Sequence, residues 1–263
     1  MRLLRLLLVL YCVGVFGFLI LPLLIVVPVS FSAGAYLQFP PPGWSLRWYR
    51  MYFSDPQWLD ATWLSLRVAA VTVLLSVTLG SAAALALVRL PFPGIGLLRA
   101  ILMMPLVVPS IVLAIAVYSV YVRLHLVGSF WGIVLAHTIL ALPFAVVLMV
   151  AGLQRVDRRL EEASYTMGAS AARTFLKVTF PIVRPSLFAA AVFAFITSWD
   201  EVILMLFIGG SAGTTLPLRM FSFLRTEINP VIAAVSTLLL LLAALVFGLS
   251  EWMKRRSVVR ALP

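Results

Sequence analysis

Acidic side chains are scarce in this chain: nine Asp and Glu stand against twenty Lys and Arg in 263 residues, and charged residues of both signs make up only 11%. A soluble domain carries about a quarter charged residues. With 63% hydrophobic residues and a mean hydropathy of +1.12, the apolar surface exceeds what a soluble core of this size can hide, so the chain reads as an integral membrane protein. The single cysteine, Cys12, excludes an internal disulfide framework and a cysteine metal cluster, and inside an apolar segment it reads as a small buried hydrophobe. The two histidines, His125 and His137, form no metal-ligand cluster, and His137 reads as a hydrogen-bonding partner for a neighbouring helix. No GxxxxGK[ST] phosphate loop occurs, and Gly94-Ile95-Gly96 lacks the rest of a dinucleotide fingerprint, so ATP hydrolysis by this chain alone is not expected. Nor is a nucleophile and base, or an acid and base, gathered at one membrane face, which argues against an enzyme.

What is present is long apolar runs. Segments of about 20 residues, long enough to cross hydrocarbon, fall at 6–29, 62–87, 98–121, 131–152, 185–208 and 231–252. The expected architecture is a single all-α membrane domain over 1–263, with six transmembrane helices and both termini on one side. The net charge of +11 could suggest nucleic acid, but the basic residues gather at segment ends and in alternate connections, as topology-setting residues do. With the N-terminus inside, the inner segments hold Arg2, Arg5, Arg89, Arg99, Arg155, Arg158, Arg159, Arg173, Lys177, Arg184, Lys254, Arg255, Arg256 and Arg260. The outer segments hold Arg47, Arg50, Arg123, Arg219 and Arg225, so both termini are expected in the cytoplasm. Arg2 and Arg5 precede an apolar run that reaches Val29, longer than the roughly 7–15 residues of a secretory signal core, and this reads as an uncleaved anchor.

The outer connection 30–61 is rich in rings, among them Trp44, Trp48, Tyr49, Tyr52, Phe53 and Trp58. These read as an interfacial aromatic belt, with docking of an external partner as the alternative. Pro105, Pro109 and Pro143 bend or break apolar helices, and a static kink and a moving, pathway-lining helix fit them equally.

The connection 153–184 is the charged interruption. From Leu160 to Phe175 its residues favour helix, with Asp157 as the cap and Glu161 and Glu162 in the first turn, where carboxylates complement the helix dipole. Within it, Glu162-Ala163-Ser164, then Gly168 after three residues, then Val178, Phe180 and Pro181 after nine more, resembles the EAA loop of ABC-importer membrane subunits, E-A-A-x3-G-x9-I-x-L-P. The departures are Ser164, Val178 and Phe180, none of which changes charge. The resemblance implies the type I ABC importer fold and a coupling helix that enters a groove on an ATP-hydrolysing subunit, with Glu161, Glu162, Ala163, Ser164, Met167, Gly168, Val178, Phe180 and Pro181 as the coupling residues. Gly168, lacking a Cβ, suits a turn or a close packed contact.

A second feature is Ser198-Trp199-Asp200-Glu201, which interrupts the fifth span. An ionised carboxylate at mid-membrane costs about 2.5–3.5 kcal/mol on insertion scales, so such a group faces a partner or a wet cavity. Adjacent residues on an ideal helix are about 100° apart, so at most one carboxylate points down a central path. Two readings stand for the pair: pairing with a base such as Arg67 or with polar backbone at a helix break, or guidance of a cationic substrate by Trp199, Asp200 and Glu201.

Leu135-Ala136-His137-Thr138, Leu142-Pro143-Phe144, the 161–181 motif, Ser198-Trp199-Asp200-Glu201 and the stretch from Thr215 to Ser222 together resemble the second permease of spermidine/putrescine importers. The resemblance implies an inner-membrane permease that moves a polyamine or a related small organic solute by alternating access and binds no cofactor itself. It also implies an ABC ATPase dimer carrying ATP and Mg, a second permease in a heterodimer, and an external substrate-binding protein. The competing class is an ion-coupled secondary transporter in which Asp200 or Glu201 titrates. That class calls for inverted repeats and charged relays across several helices, and neither is evident.

Overall fold

The computed structural model describes residues 2–227 and 229–259, with side chains described from 4 to 245 apart from 212 and 228. Its helices run in the order α1 (Arg2–Ser30), α2 (Arg47–Ser54), α3 (Pro56–Arg89), α4 (Ile95–Val107), α5 (Ser110–Leu124) and α6 (Phe130–Gln154). After these come α7 (Arg158–Thr166), α8 (Ala171–Thr174), α9 (Phe180–Trp199), α10 (Ile203–Ile208), α11 (Leu216–Thr226) and α12 (Val231–Val259). Among the described residues four helices are long and apolar enough to cross a membrane, or five if the bent pair α4 and α5 is one span. The apolar part of α12 that is described, Val231–Leu245, is shorter than a full crossing, and the end of the expected sixth span, 246–252, lies beyond the described side chains. Arg260, one of the basic residues read as cytoplasmic, lies outside the described residues.

Two of the expected spans are broken. The segment 98–121 is not one rod: α4 and α5 meet at a 111° bend. Val108 is extended at ψ 130 and Pro109 opens α5, because the proline ring disfavours helical geometry in the residue before it and supplies no N–H. The segment 185–208 likewise breaks after Trp199 and resumes at Ile203.

The chain divides into two units, 1–59 with 222–263, and 60–221. In the first, α1 packs on α12, and α12 on α2. Trp48 Nε1 donates to Ser32 O at 2.9 Å, Ser30 Oγ and Tyr49 OH lie 2.7 Å apart, and Trp58 is fully buried with its ring 5.3 Å from that of Phe223. The rings expected as a belt are therefore of two kinds: Trp48, Tyr52 and Trp58 build a small core, whereas Trp44 and Phe53 stay exposed. Cys12 is exposed on α1, correcting its reading as a buried residue. The side chains around it, from Leu4 to Leu24, form an apolar surface suited to lipid.

In the second unit α6 pairs most extensively with α9 and also meets α3 and α4. Small residues set the spacing. A Cβ on Gly80 of α3 would stand 2.7 Å from Ala145 Cβ of α6, and one on Gly152 of α6 would stand 2.5 Å from Ser186 Oγ of α9. Lipid supplies no hydrophobic drive for helices to associate, so close backbone approach and the dispersion it permits hold this trio together. Around these contacts Val77, Ala84, Ala145, Met149, Leu153, Val183 and Ala190 form one buried cluster.

Gly152→Val is expected to destabilise the α6 and α9 pairing by about 1–3 kcal/mol through overpacking and to lower the Tm of the detergent-solubilised protein. Gly17→Val, where nothing lies within 4 Å, leaves Tm unchanged; equal Tm values for the two variants would refute the close-approach account.

Candidate functional site

The 153–184 connection forms two short helices around a turn, in place of the continuous helix that 160–175 suggested. Asp157 caps α7 as expected, its side chain accepting from Arg159 N at 3.0 Å. The end of α7 has both bonds of a Schellman motif: Gly168 N donates to Tyr165 O at 2.9 Å and Ala169 N to Ser164 O at 3.1 Å. Gly168 takes φ +82, and nothing lies within 4 Å of where its Cβ would be. Glycine is thus needed here for the left-handed turn and not for a close contact within this chain. Ser170 then caps α8, accepting from Arg173 N at 3.4 Å.

Beyond α8 the backbone widens into a π-helical turn, Phe175–Thr179, in which Phe180 N bonds Phe175 O, five residues back. Pro181 follows at once. A proline ring collides with the carbonyl four residues before it in a regular α-helix, and the wide turn at the head of α9 falls where that strain would arise. Single π turns of this kind recur at functional sites. Val178, Phe180 and Pro181, expected as coupling residues, belong to this elbow. Phe180 has the Phe175 ring 6.3 Å away and the Arg184 guanidinium over its face at 5.1 Å.

The motif is divided between an inner and an outer side. Glu161 Oε2 lies 3.1 Å from Arg89 Nη2 at the end of α3, and its Oε1 accepts from Thr179 Oγ1 at 2.6 Å. Arg158 Nη2 donates to Val88 O at 3.2 Å. Ser164, the departure from the second alanine, is buried with its hydroxyl 2.9 Å from Thr174 Oγ1, a hydrogen bond alanine could not make. Glu162 and Ala163 are exposed. Met167 is 81% exposed at the tip, with Leu160, Tyr165 and Leu176 also exposed. Arg89, Thr174 and Thr179 escaped the sequence reading; the one available signal was an arginine ending an apolar segment on the same side as Glu161.

The acidic pair lies at the other end of α9, whose 20 residues span about 30 Å. The two carboxylates are not neighbours on one helix, because α9 ends at Trp199 and Asp200 is its cap residue. Glu201 Oε1 accepts from Leu204 N at 2.7 Å and so caps α10, the polar-backbone alternative of the sequence reading. Arg67, the suggested partner, donates from Nε to Trp63 O. Asp200 is exposed, and Trp199 stacks on Phe195 with ring centroids 5.4 Å apart. Just before the break, Ser198 Oγ lies 2.9 Å from His137 Nδ1 of α6, both residues buried, so His137 does bond a neighbouring helix. Among the described residues no group of three His, Cys, Asp or Glu could hold a metal ion.

Long apolar helices packed through small residues, joined by a capped polar connection, fit a protein embedded in a membrane. The chain belongs to the family of binding-protein-dependent transport system inner membrane components, whose sequence model matches residues 44–259; it is the permease subunit of an ABC importer. It is 32% identical over 232 residues to the putrescine transport system permease PotI of Escherichia coli K12, covering 86% of this chain and 82% of that one. It is 28% identical over 244 residues to the spermidine/putrescine permease PotC of Haemophilus influenzae, covering 92% and 94%. The molybdenum transport permease ModB of E. coli K12 is 32% identical, covering 80% of this chain and 99% of its own. Among solved structures, a bacterial ABC transporter involved in import of the acidic polysaccharide alginate shares the fold with a TM-score of 0.71 at 16% identity, covering 95% and 97%. The MetNI methionine transporter does so at 0.61 and 21%, covering 80% and 98%.

Glu201→Gln keeps an acceptor oxygen for Leu204 N and is expected to leave Tm nearly unchanged, whereas Glu201→Ala loses the cap and about 0.5–2 kcal/mol. Equal thermal melts in detergent for the two variants would show that the cap contributes nothing.

Proposed function

We propose that this permease couples to separate ATPase subunits through the tip of the 153–184 connection and guides a cationic solute, of the polyamine class, past Asp200. The observation that carries the docking half is the division of the motif: Glu161 and Ser164 are turned into the chain, while Met167, Tyr165 and Glu162 face outward around a rigid Schellman turn. An exposed methionine beside an aromatic ring suits an apolar groove on a partner. The connection lies on the cytoplasmic side, six crossings leave both termini there, and ATP with Mg binds the partners and not this chain. A second permease completes the pathway in a heterodimer, and an external binding protein delivers the solute.

For the substrate, support comes from the putrescine and spermidine/putrescine relatives, which align along nearly the whole chain, together with the exposed carboxylate of Asp200 at a helix break. An ammonium group fits such a carboxylate by charge, whereas an oxyanion does not. The similarity to a molybdenum permease means that membership of the family does not itself fix the solute.

The test is uptake of labelled putrescine and spermidine by cells expressing the complete importer. With Asp200→Asn at equal membrane abundance, apparent KM for the polyamine is expected to rise about tenfold, the loss of one charge-assisted contact. Unaltered kinetics for both polyamines would assign Asp200 a structural role and remove the cation reading.

A further inference from the structure

Glu161 stands where three elements converge. It rides on α7; its Oε2 and Oε1 are each 3.1 Å from Arg89 Nη2 at the end of α3, and Oε1 also accepts from Thr179 Oγ1 at 2.6 Å in the π turn that leads into α9. The pair is largely withdrawn from solvent, with 19% of the Arg89 and 16% of the Glu161 side chain exposed. Arg158, also on α7, makes the second tie to α3 through Val88 O. Buried charge-assisted contacts are stronger and more directional than surface pairs, and removing one partner leaves the other charge uncompensated.

The consequence is mechanical. A connection held only at its two ends would absorb a push on its tip by flexing. Here the turn after α7 is fixed by Gly168 and the Ser164 to Thr174 hydroxyl bond, and α7 is fastened sideways to two long helices. We propose that Glu161 is a positioning residue for coupling: it fastens α7 to α3 and to the elbow of α9, so that displacement of α7 reaches both helices together. The proposal rests on the docking reading above and concerns transmission, not docking.

The test uses the complete importer, purified through a tag on this chain, reconstituted in liposomes and supplied with its own loaded binding protein. Glu161→Gln and Thr179→Val are expected to keep the ATPase subunits bound, while the ratio of binding-protein-stimulated to basal ATP hydrolysis falls about fivefold or more, the lower end of the usual size of coupling between sites. A ratio unchanged in both variants overturns the proposal. So does loss of the ATPase subunits from Glu161→Gln, because the carboxylate would then act in docking. If Glu161→Gln does not accumulate, Thr179→Val, which removes one hydroxyl at nearly constant volume, decides alone. Met167→Glu is the control for the underlying reading: a complex that retains its ATPase and full stimulation with that variant refutes docking by the tip, whatever Glu161 does.

Discussion

Backbone amides and carbonyls in hydrocarbon have no water to fall back on, and each one left open costs several kcal/mol. Where a helix stops therefore decides where polar side chains must stand. At the break after Trp199, Glu201 supplies an acceptor to Leu204 N, and at the start of α11 Ser65 Oγ accepts from Leu216 N at 2.8 Å. The turn at Val108 and Pro109 needs less help, because proline has no N–H to satisfy. In the exposed, polar 153–184 connection the helix ends are capped as well, by Asp157, Ser170 and the Schellman turn. The carboxylates and hydroxyls that first suggest chemistry are in large part the groups that make these interruptions tolerable.

The rigid part lies between the interruptions. Gly80 against Ala145 fixes the register of α3 on α6. Eight residues earlier on each helix stand Thr72 and His137, at helical spacing on the same faces and about 12 Å along each axis from that contact. Both are buried, and His137 continues to Ser198 on α9. Close packing joins α3 to α6 and α6 to α9, the polar tie from His137 to Ser198 adds a second contact between α6 and α9, and such interiors move as units more readily than they deform. Glu161 binds α7 to the ends of two of these three helices.

Much of the helical fold was legible in the sequence because the bilayer acts on composition directly: apolar length and the capping residue Asp157 both refer to local requirements. α6 begins at Phe130, beside the expected 131, whereas α3 begins at Pro56, ahead of the expected 62, and α9 begins at Phe180, inside the 153–184 connection. What escaped detection depended on three dimensions. No local pattern pairs Arg89 with Glu161, seventy-two residues on, or Ser164 with Thr174. The aromatic residues of 30–61 have one composition but two environments, with Trp48, Tyr52 and Trp58 buried and Trp44 and Phe53 exposed. Cys12 was assigned by the average behaviour of cysteine, whereas its position on α1 exposes it. The broken spans were hinted at by Pro109 and by Asp200 with Glu201, but apolar length alone reads through both.

The two acidic pairs share a logic. Glu161 and Glu162 are chemically equivalent neighbours about 100° apart on a helix, so when one turns toward the chain the other is turned away from it. The inward carboxylate must find donors to offset desolvation and becomes part of the frame; the outward one keeps its hydration and is available to a partner. Asp200 and Glu201 reach the same division by a different route, through a helix end that recruits Glu201 as a cap and leaves Asp200 exposed. A sequence motif marks where such a pair stands, but which member carries the frame is decided by the donors that the fold brings within hydrogen-bond distance. Here those donors are Arg89, Thr179 and the amide of Leu204, and they assign the framing role to Glu161 and Glu201.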